Sequence, residues 1–177
     1  VTRRIDPDAP FDRDGERARR GRPLAPLLEE LLSDSFFAQS PPKSTGRERF
    51  GGDYADRLLA RVRAAGGSDN DAVATATALT AESIGRAVRQ WGGAGDATAE
   101  LVISGGGARN PALVERLAAR VQPRPVVPFE QLFFDGEAKE AVAFAFLGHQ
   151  TILGRPGNLP EATGARGPRV LGHITPV

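Results

Sequence analysis

The sequence predicts a helix-rich α/β fold, and three observations carry that reading. Apolar residues recur at helical spacing in several stretches, the longest beginning after Ser68-Asp69-Asn70-Asp71 and stopping at Gly92-Gly93. A short apolar run, Ala99–Ser104, enters Gly105-Gly106-Gly107, and Asn110-Pro111 then supplies an N-cap and a first-turn proline for the next helix. A second short strand over Pro125–Pro128 precedes a helix over Ala138–Leu153.

Composition is that of an ordinary folded chain. Of 177 residues, 40% are hydrophobic and 25% charged, which argues against a wholly disordered chain. At this length folding buries roughly two thirds of the unfolded surface, enough for a real core. No run of about 18 apolar residues is present, so no membrane span is expected. The first residues, Val1 to Gly15, lack the apolar core of a signal peptide, and a cytoplasmic location is the expectation. With no cysteine there can be no disulfide, thiolate metal site or cysteine nucleophile. Methionine is also absent, as a fragment or a processed chain would show. All the basic residues except Lys43 and Lys139 are arginine, which together with the many glycines and prolines reads as a codon bias. The net charge of +1 gives no bulk reason to bind nucleic acid.

Each element follows from local signals. Residues 1–23 interleave arginines with acids and show little apolar periodicity. Asp12-Arg13-Asp14-Gly15 looks like part of a calcium loop, but that register would put Pro10 where a carboxylate ligand is required, so a solvated, capping or linker role is expected. Leu24, Leu27, Leu28, Leu31 and Leu32 mark a helix near Pro23. The stretch Gln39 to Glu48 is a loop broken by two prolines and Gly46. Tyr54, Leu58, Leu59 and Val62 mark a helix ending at Gly66-Gly67. In the long helix after Ser68, Val73, Thr77, Thr80, Ile84, Ala87 or Val88, and Trp91 share one face. Ala99–Ser104 reads as a buried strand, and the helix after Pro111 is amphipathic through Leu113, Val114, Leu117, Ala118 and Val121. Ala138–Leu153 is apolar on most sides and is therefore expected to be buried. A Pro/Gly-rich tail leads to a last short strand, Val170–Ile174.

The unit strand–Gly105-Gly106-Gly107–helix is the strongest chemical signal. Glycines allow positive φ and let a ligand lie against bare backbone, while the helix start offers unpaired N–H groups to a phosphate or ribose oxygen. No Gly-Lys-Ser/Thr follows, and the spacing is not GxGxxG, so on residues alone the turn is either a ligand site or a plain tight turn. Lys43-Ser44-Thr45-Gly46-Arg47 combines cations and hydroxyls that could contact a phosphate or a sugar, or form a solvated turn. Glu140 lies one turn into an apolar helix, where partial burial would make its carboxylate costly unless partnered, although an acid there also offsets the helix dipole. His149 and His173 have no metal or serine partner at a recognised spacing and read as structural or surface residues.

Several stretches, taken in order, resemble the anhydro-N-acetylmuramic acid kinase family. They are Phe36–Phe50 with its KSTGRE core, Val102–Pro111 with GGGARNP, Glu140–Phe146, Gly154–Gly164 with PGNLP, and Val170–Pro176. The resemblance covers nearly the whole chain, residues 1–177, and implies the C-terminal ATP-binding domain of a two-domain kinase with the actin/sugar-kinase/heat-shock ATPase fold. It implies ATP and Mg²⁺ as cofactors and 1,6-anhydro-N-acetylmuramic acid as substrate. Water would open the anhydro bond while ATP phosphorylates O6, giving N-acetylmuramic acid 6-phosphate for cell-wall recycling. By resemblance Gly105, Gly106, Gly107 and Asn110 fall on the adenosine-binding turn, and Glu140 falls on a catalytic acid facing the substrate cleft. Lys43, Thr45 and Arg47 match the family motif and are read as substrate contacts. No residue here is expected to ligate metal. The family's N-terminal phosphate loop and its general-base Asp have no counterpart in this sequence, so this segment alone is expected to be inactive. A homodimer is compatible with the resemblance.

Another class of function fits the same residues: a non-catalytic adenine-nucleotide-binding or regulatory module that kept the fold. An Arg-rich nucleic-acid binder would rest on residues 3–22 alone, where interleaved acids count against it.

Overall fold

A computed structural model describes residues 1–93 and 99–175. They form two compact units, one of residues 1–39 and 45–128, the other of residues 40–44 with 129 onward.

The first unit is built around one long helix. Its principal elements are α1 (Glu16–Arg20), α2 (Ala25–Leu32), α3 (Gly52–Ala64), α4 (Asp69–Trp91), β1 (Leu101–Ile103), α5 (Pro111–Val121) and β2 (Val126–Pro128). The start of α4 is fixed by a capping box: Ser68 Oγ accepts from Asp71 N at 3.2 Å, and Asp71 Oδ2 accepts from Ser68 N at 2.8 Å. Asp71 Oδ1 also accepts from Arg22 N at 2.6 Å, so one carboxylate ties the chain before α2 to the start of α4. That backbone N–H, followed by the Ser68 N–H and hydroxyl, holds the Asp71 carboxyl below the ordinary carboxylate range.

Helices α1, α2, α3 and α5 all pack on α4. Being covered from several sides, α4 buries Ala72, Val73, Ala74, Thr75, Ala78, Leu79, Ala81 and Gly85. Of the face expected from the sequence, Val73 is buried and Ile84 and Val88 pack against Ala81, Leu117 and Val121, whereas Thr80 is exposed and small residues carry much of the burial. Small side chains let neighbouring helices approach: a Cβ on Gly85 would lie 2.7 Å from Arg120 Cβ on α5. Leu27, Leu58, Leu59 and Val62 close one end of the core on Ala72, and Leu117 and Val121 close the other on Ala81. Burying such side chains is worth about 1.5–3 kcal/mol each before conformational entropy is charged against it.

An ionic hub pins α4 to α5. Glu82, with a side chain 17% exposed, takes Arg86 and Arg89 from its own helix at 3.5 Å each and Arg120 from α5. Arg89 also donates to the Arg120 carbonyl at 2.6 Å. Glu82→Ala is expected to lower stability by about 1–2 kcal/mol, because the arginines are half exposed but lose a shared, poorly hydrated partner. Urea unfolding checks this; a loss below about 0.5 kcal/mol would reduce the hub to surface decoration.

β1 and β2 pair in parallel, Leu101 opposite Val126 and Ile103 opposite Pro128. The expectation of a buried strand needs correction. Leu101 and Ile103 pack toward Ala81, Leu117 and Val121, while Val102, on the opposite face, is 38% exposed. One face is covered and the other is open.

The second unit is organised around α6 (Lys139–Ile152), where the sequence expectation also fails. No residue of α6 is buried, and Phe144, Phe146 and Ile152 are 72%, 56% and 74% exposed. An all-round apolar helix requires cover on all sides, and this unit supplies too few neighbours. The expected last strand over Val170–Ile174 does not form; nor do the tail's backbone groups enter a ladder. Asn158 Oδ1 accepts from Arg169 N at 2.6 Å, Gly157 N donates to the Arg169 carbonyl at 3.0 Å, and Thr151 Oγ1 donates to the Leu171 carbonyl. Pro176, the end of the last matching motif, lies outside the described residues. Among the described residues, no helix is long and apolar enough to cross a membrane.

Candidate functional site

The glycine turn is an open backbone platform at the C-terminal end of β1. Gly105 has φ +85° and ψ −177°, a conformation that side chains resist, and it throws the chain into a 3₁₀ turn over Gly106–Arg109. Ala108 N donates to the Gly105 carbonyl at 3.0 Å and Asn110 N to the Gly107 carbonyl at 3.1 Å. Asn110 then caps α5, its Oδ1 accepting from Leu113 N at 3.2 Å, with Pro111 in the first turn. Only Gly105 of the three glycines has positive φ. All three are exposed, and a Cβ on Gly105 or Gly106 would meet no atom within 4 Å. On Gly107 it would touch only Leu113, at 3.4 Å. The result is a bare floor ending at a helix N-terminus, with room for a flat or anionic group against the main chain.

Thr45 and Arg47 line a separate cavity of about 670 Å³ in the same unit. Its wall is aromatic, formed by Phe36, Phe37, Phe50 and Tyr54. Phe50 packs edge-on to Phe36 and Tyr54 at centroid distances of 5.7 and 5.0 Å. The Tyr54 hydroxyl is buried with no hydrogen-bond partner, and burial pushes its acidity to higher pH. The aromatic wall went unread in the sequence, although its members flank the KSTGRE motif on both sides.

Lys43 falls in the second unit and is not among the residues lining that cavity. Glu140 belongs there too, in the first turn of α6, and it is exposed rather than partly buried as expected. Its place at a helix start suits a carboxylate electrostatically, and exposure removes the desolvation cost. His149 and His173 are exposed, consistent with their surface reading. Asp12 caps α1, accepting from Arg17 N at 2.9 Å and Ala18 N at 3.0 Å, so the calcium-like stretch has a capping role. Among the described residues no group of three or more His, Cys, Asp or Glu is placed to hold a metal ion.

A family model described as anhydro-N-acetylmuramic acid kinase matches residues 2–177. The chain belongs to the anhydro-N-acetylmuramic acid kinase family. A relative from Salinibacter ruber bearing that name is 44% identical over 168 residues, covering 95% of this chain and 42% of the relative. One from Caldanaerobacter subterraneus subsp. tengcongensis, of the same name, is 43% identical over 165 residues, covering 93% of this chain and 42% of the relative. The chain therefore spans about two fifths of the length of these curated relatives.

Proposed function

We propose that this chain supplies the C-terminal, nucleotide-binding part of an ATP-dependent kinase acting on 1,6-anhydro-N-acetylmuramic acid. The observation that carries the reading is the open Gly105–Asn110 platform, within a match to the kinase family over residues 2–177. In the reaction water adds at the anomeric carbon as the 1,6-anhydro bond breaks, and O6 takes the γ-phosphoryl group of ATP. The products are N-acetylmuramic acid 6-phosphate and ADP, and the use of ATP favours a cytoplasmic location.

Within that reading the glycine turn holds the adenosine, and Asn110 holds the turn against the start of α5. Glu140 serves the substrate cleft, orienting the sugar or the attacking water. Lys43, Thr45 and Arg47 contact the substrate. The phosphate loop and the general-base Asp come from the portion of the family's length that this chain does not span. The actin/sugar-kinase/heat-shock ATPase fold is part of the proposal. Two features support it: a parallel pair whose second face is open, and an apolar α6 with no buried residue. Parallel sheets are normally larger and covered on both faces, so both features suit a part of a larger α/β protein.

The test is product analysis. The full-length kinase, given ATP and 1,6-anhydro-N-acetylmuramic acid, should form N-acetylmuramic acid 6-phosphate and ADP in equal amounts. ATP binding without any phosphorylated sugar would instead favour a nucleotide-binding regulatory module.

A further inference from the structure

We propose that the Asp12–Gly15 turn positions the nucleotide platform, with Gly15 as a positioning residue that acts through Asn110 and the start of α5. The inference rests on the nucleotide reading of the Gly105–Asn110 turn.

The turn is held from within. Both carboxylate oxygens of Asp12 cap α1, through Arg17 N at 2.9 Å and Ala18 N at 3.0 Å, and the Asp12 carbonyl accepts from Gly15 N at 3.2 Å. Between those fixed points the chain takes two successive left-handed residues, Asp14 at φ +54° and Gly15 at φ +69°. Outside glycine such a conformation is uncommon, and here it turns the Gly15 backbone flat against α5.

The contact is too close for any side chain. A Cβ on Gly15 would lie 2.5 Å from Asn110 Oδ1, 2.5 Å from Ala112 Cβ and 3.1 Å from Ala112 N. Gly15 is buried there, and Ala18 packs with Ala112 and Val73 beneath it. Arg19 spans the junction, donating to the Asp14 carbonyl at 3.3 Å and pairing with Glu115 of α5 at 2.7 Å. A methyl at residue 15 would thus strike, equally closely, Ala112 Cβ and the Asn110 oxygen that caps Leu113 N. Asn110 N is bonded in turn to the Gly107 carbonyl, so a shift of Asn110 passes directly into the glycine floor. Misplacing a binding backbone by a fraction of an ångström is costly when the ligand relies on main-chain contacts.

The test uses the full-length kinase and direct ATP and sugar titrations. Gly15→Ala should weaken ATP binding by about tenfold while sugar affinity stays within about twofold, a split that general loosening of the fold would not produce. Ala112→Gly removes one of the two struck atoms, and in that background Gly15→Ala should cost less than about half as much, a measurable coupling between neighbours. If Gly15→Ala does not fold, Arg19→Met releases the junction without adding atoms and should weaken ATP about threefold or more, again sparing the sugar. Equal loss of ATP and sugar affinity, or unchanged ATP affinity in the folded variant, overturns the proposal. Gly106→Val separates the two levels: strong loss there with none in Gly15→Ala removes only the positioning role, whereas no loss in either removes the nucleotide reading and this inference with it.

Discussion

In the full-length kinase, Glu140→Gln should lower turnover by about tenfold or more, at least about 1.4 kcal/mol of transition-state stabilisation. The substitution keeps the size of the side chain and removes its charge and its capacity to accept a proton. Two roles compete for this residue. As a first-turn acid of α6 it would offset the helix dipole, an effect of about 0.3–1 kcal/mol on stability with none on catalysis. As a cleft residue it would act on the sugar or the water. Because Glu140 is exposed, its replacement should hardly disturb folding, and the two roles separate cleanly. Thermal unfolding should be nearly unchanged while turnover falls. Wild-type turnover in a variant whose melting temperature has slipped would return Glu140 to the scaffold.

Gly106→Val should weaken ATP by about a hundredfold and leave sugar affinity within about twofold. The mechanism is occupation of the floor. Gly106 is exposed and its φ is not positive, so valine is not excluded by the backbone conformation itself, and a Cβ would meet no protein atom within 4 Å. A folded variant is therefore expected, which makes the binding measurement interpretable. On the proposed reading, what the branched side chain meets is the nucleotide. Gly105→Val would be a poorer probe, since at φ +85° a β-branched residue is strained whether or not a nucleotide binds there. Calorimetry showing unchanged ATP affinity for Gly106→Val would remove the turn from the site.

Local chemistry made much of the fold legible. Ser68 and Asp71 announce the start of α4, and Asn110-Pro111 that of α5, because capping is decided within four residues. The glycine turn was legible for the same reason: a strand, a positive-φ residue and a cap lie in one short stretch. Burial was not. Phe144, Phe146 and Ile152 look like core residues in a sequence, yet whether a helix is covered depends on elements its own residues do not encode. The face of α4 was legible only in part: Ile84 and Val88 pack against the core, but alanines and Gly85, which allow close helix approach, carry burial that apolar periodicity does not assign to small residues. Val170–Ile174 has strand-like composition, but Asn158 and Thr151 satisfy its neighbourhood's backbone groups instead of a sheet. The junction of Gly15 with Asn110 joins residues nearly a hundred positions apart, and no spacing rule reaches that far. Thr45 and Arg47 line one cavity, whereas Lys43, two residues before Thr45, falls in the second unit.

The placement of ATP on this chain's glycine turn is tested most directly by hydrogen exchange on the full-length kinase, with and without saturating ATP. Backbone amides are the groups the platform offers, so they are the groups that a bound nucleotide must shield. The expected result is slowed exchange in peptides covering residues 104–113, lost in Gly106→Val. Protection confined to other segments, with residues 104–113 exchanging at the same rate in both conditions, would contradict it.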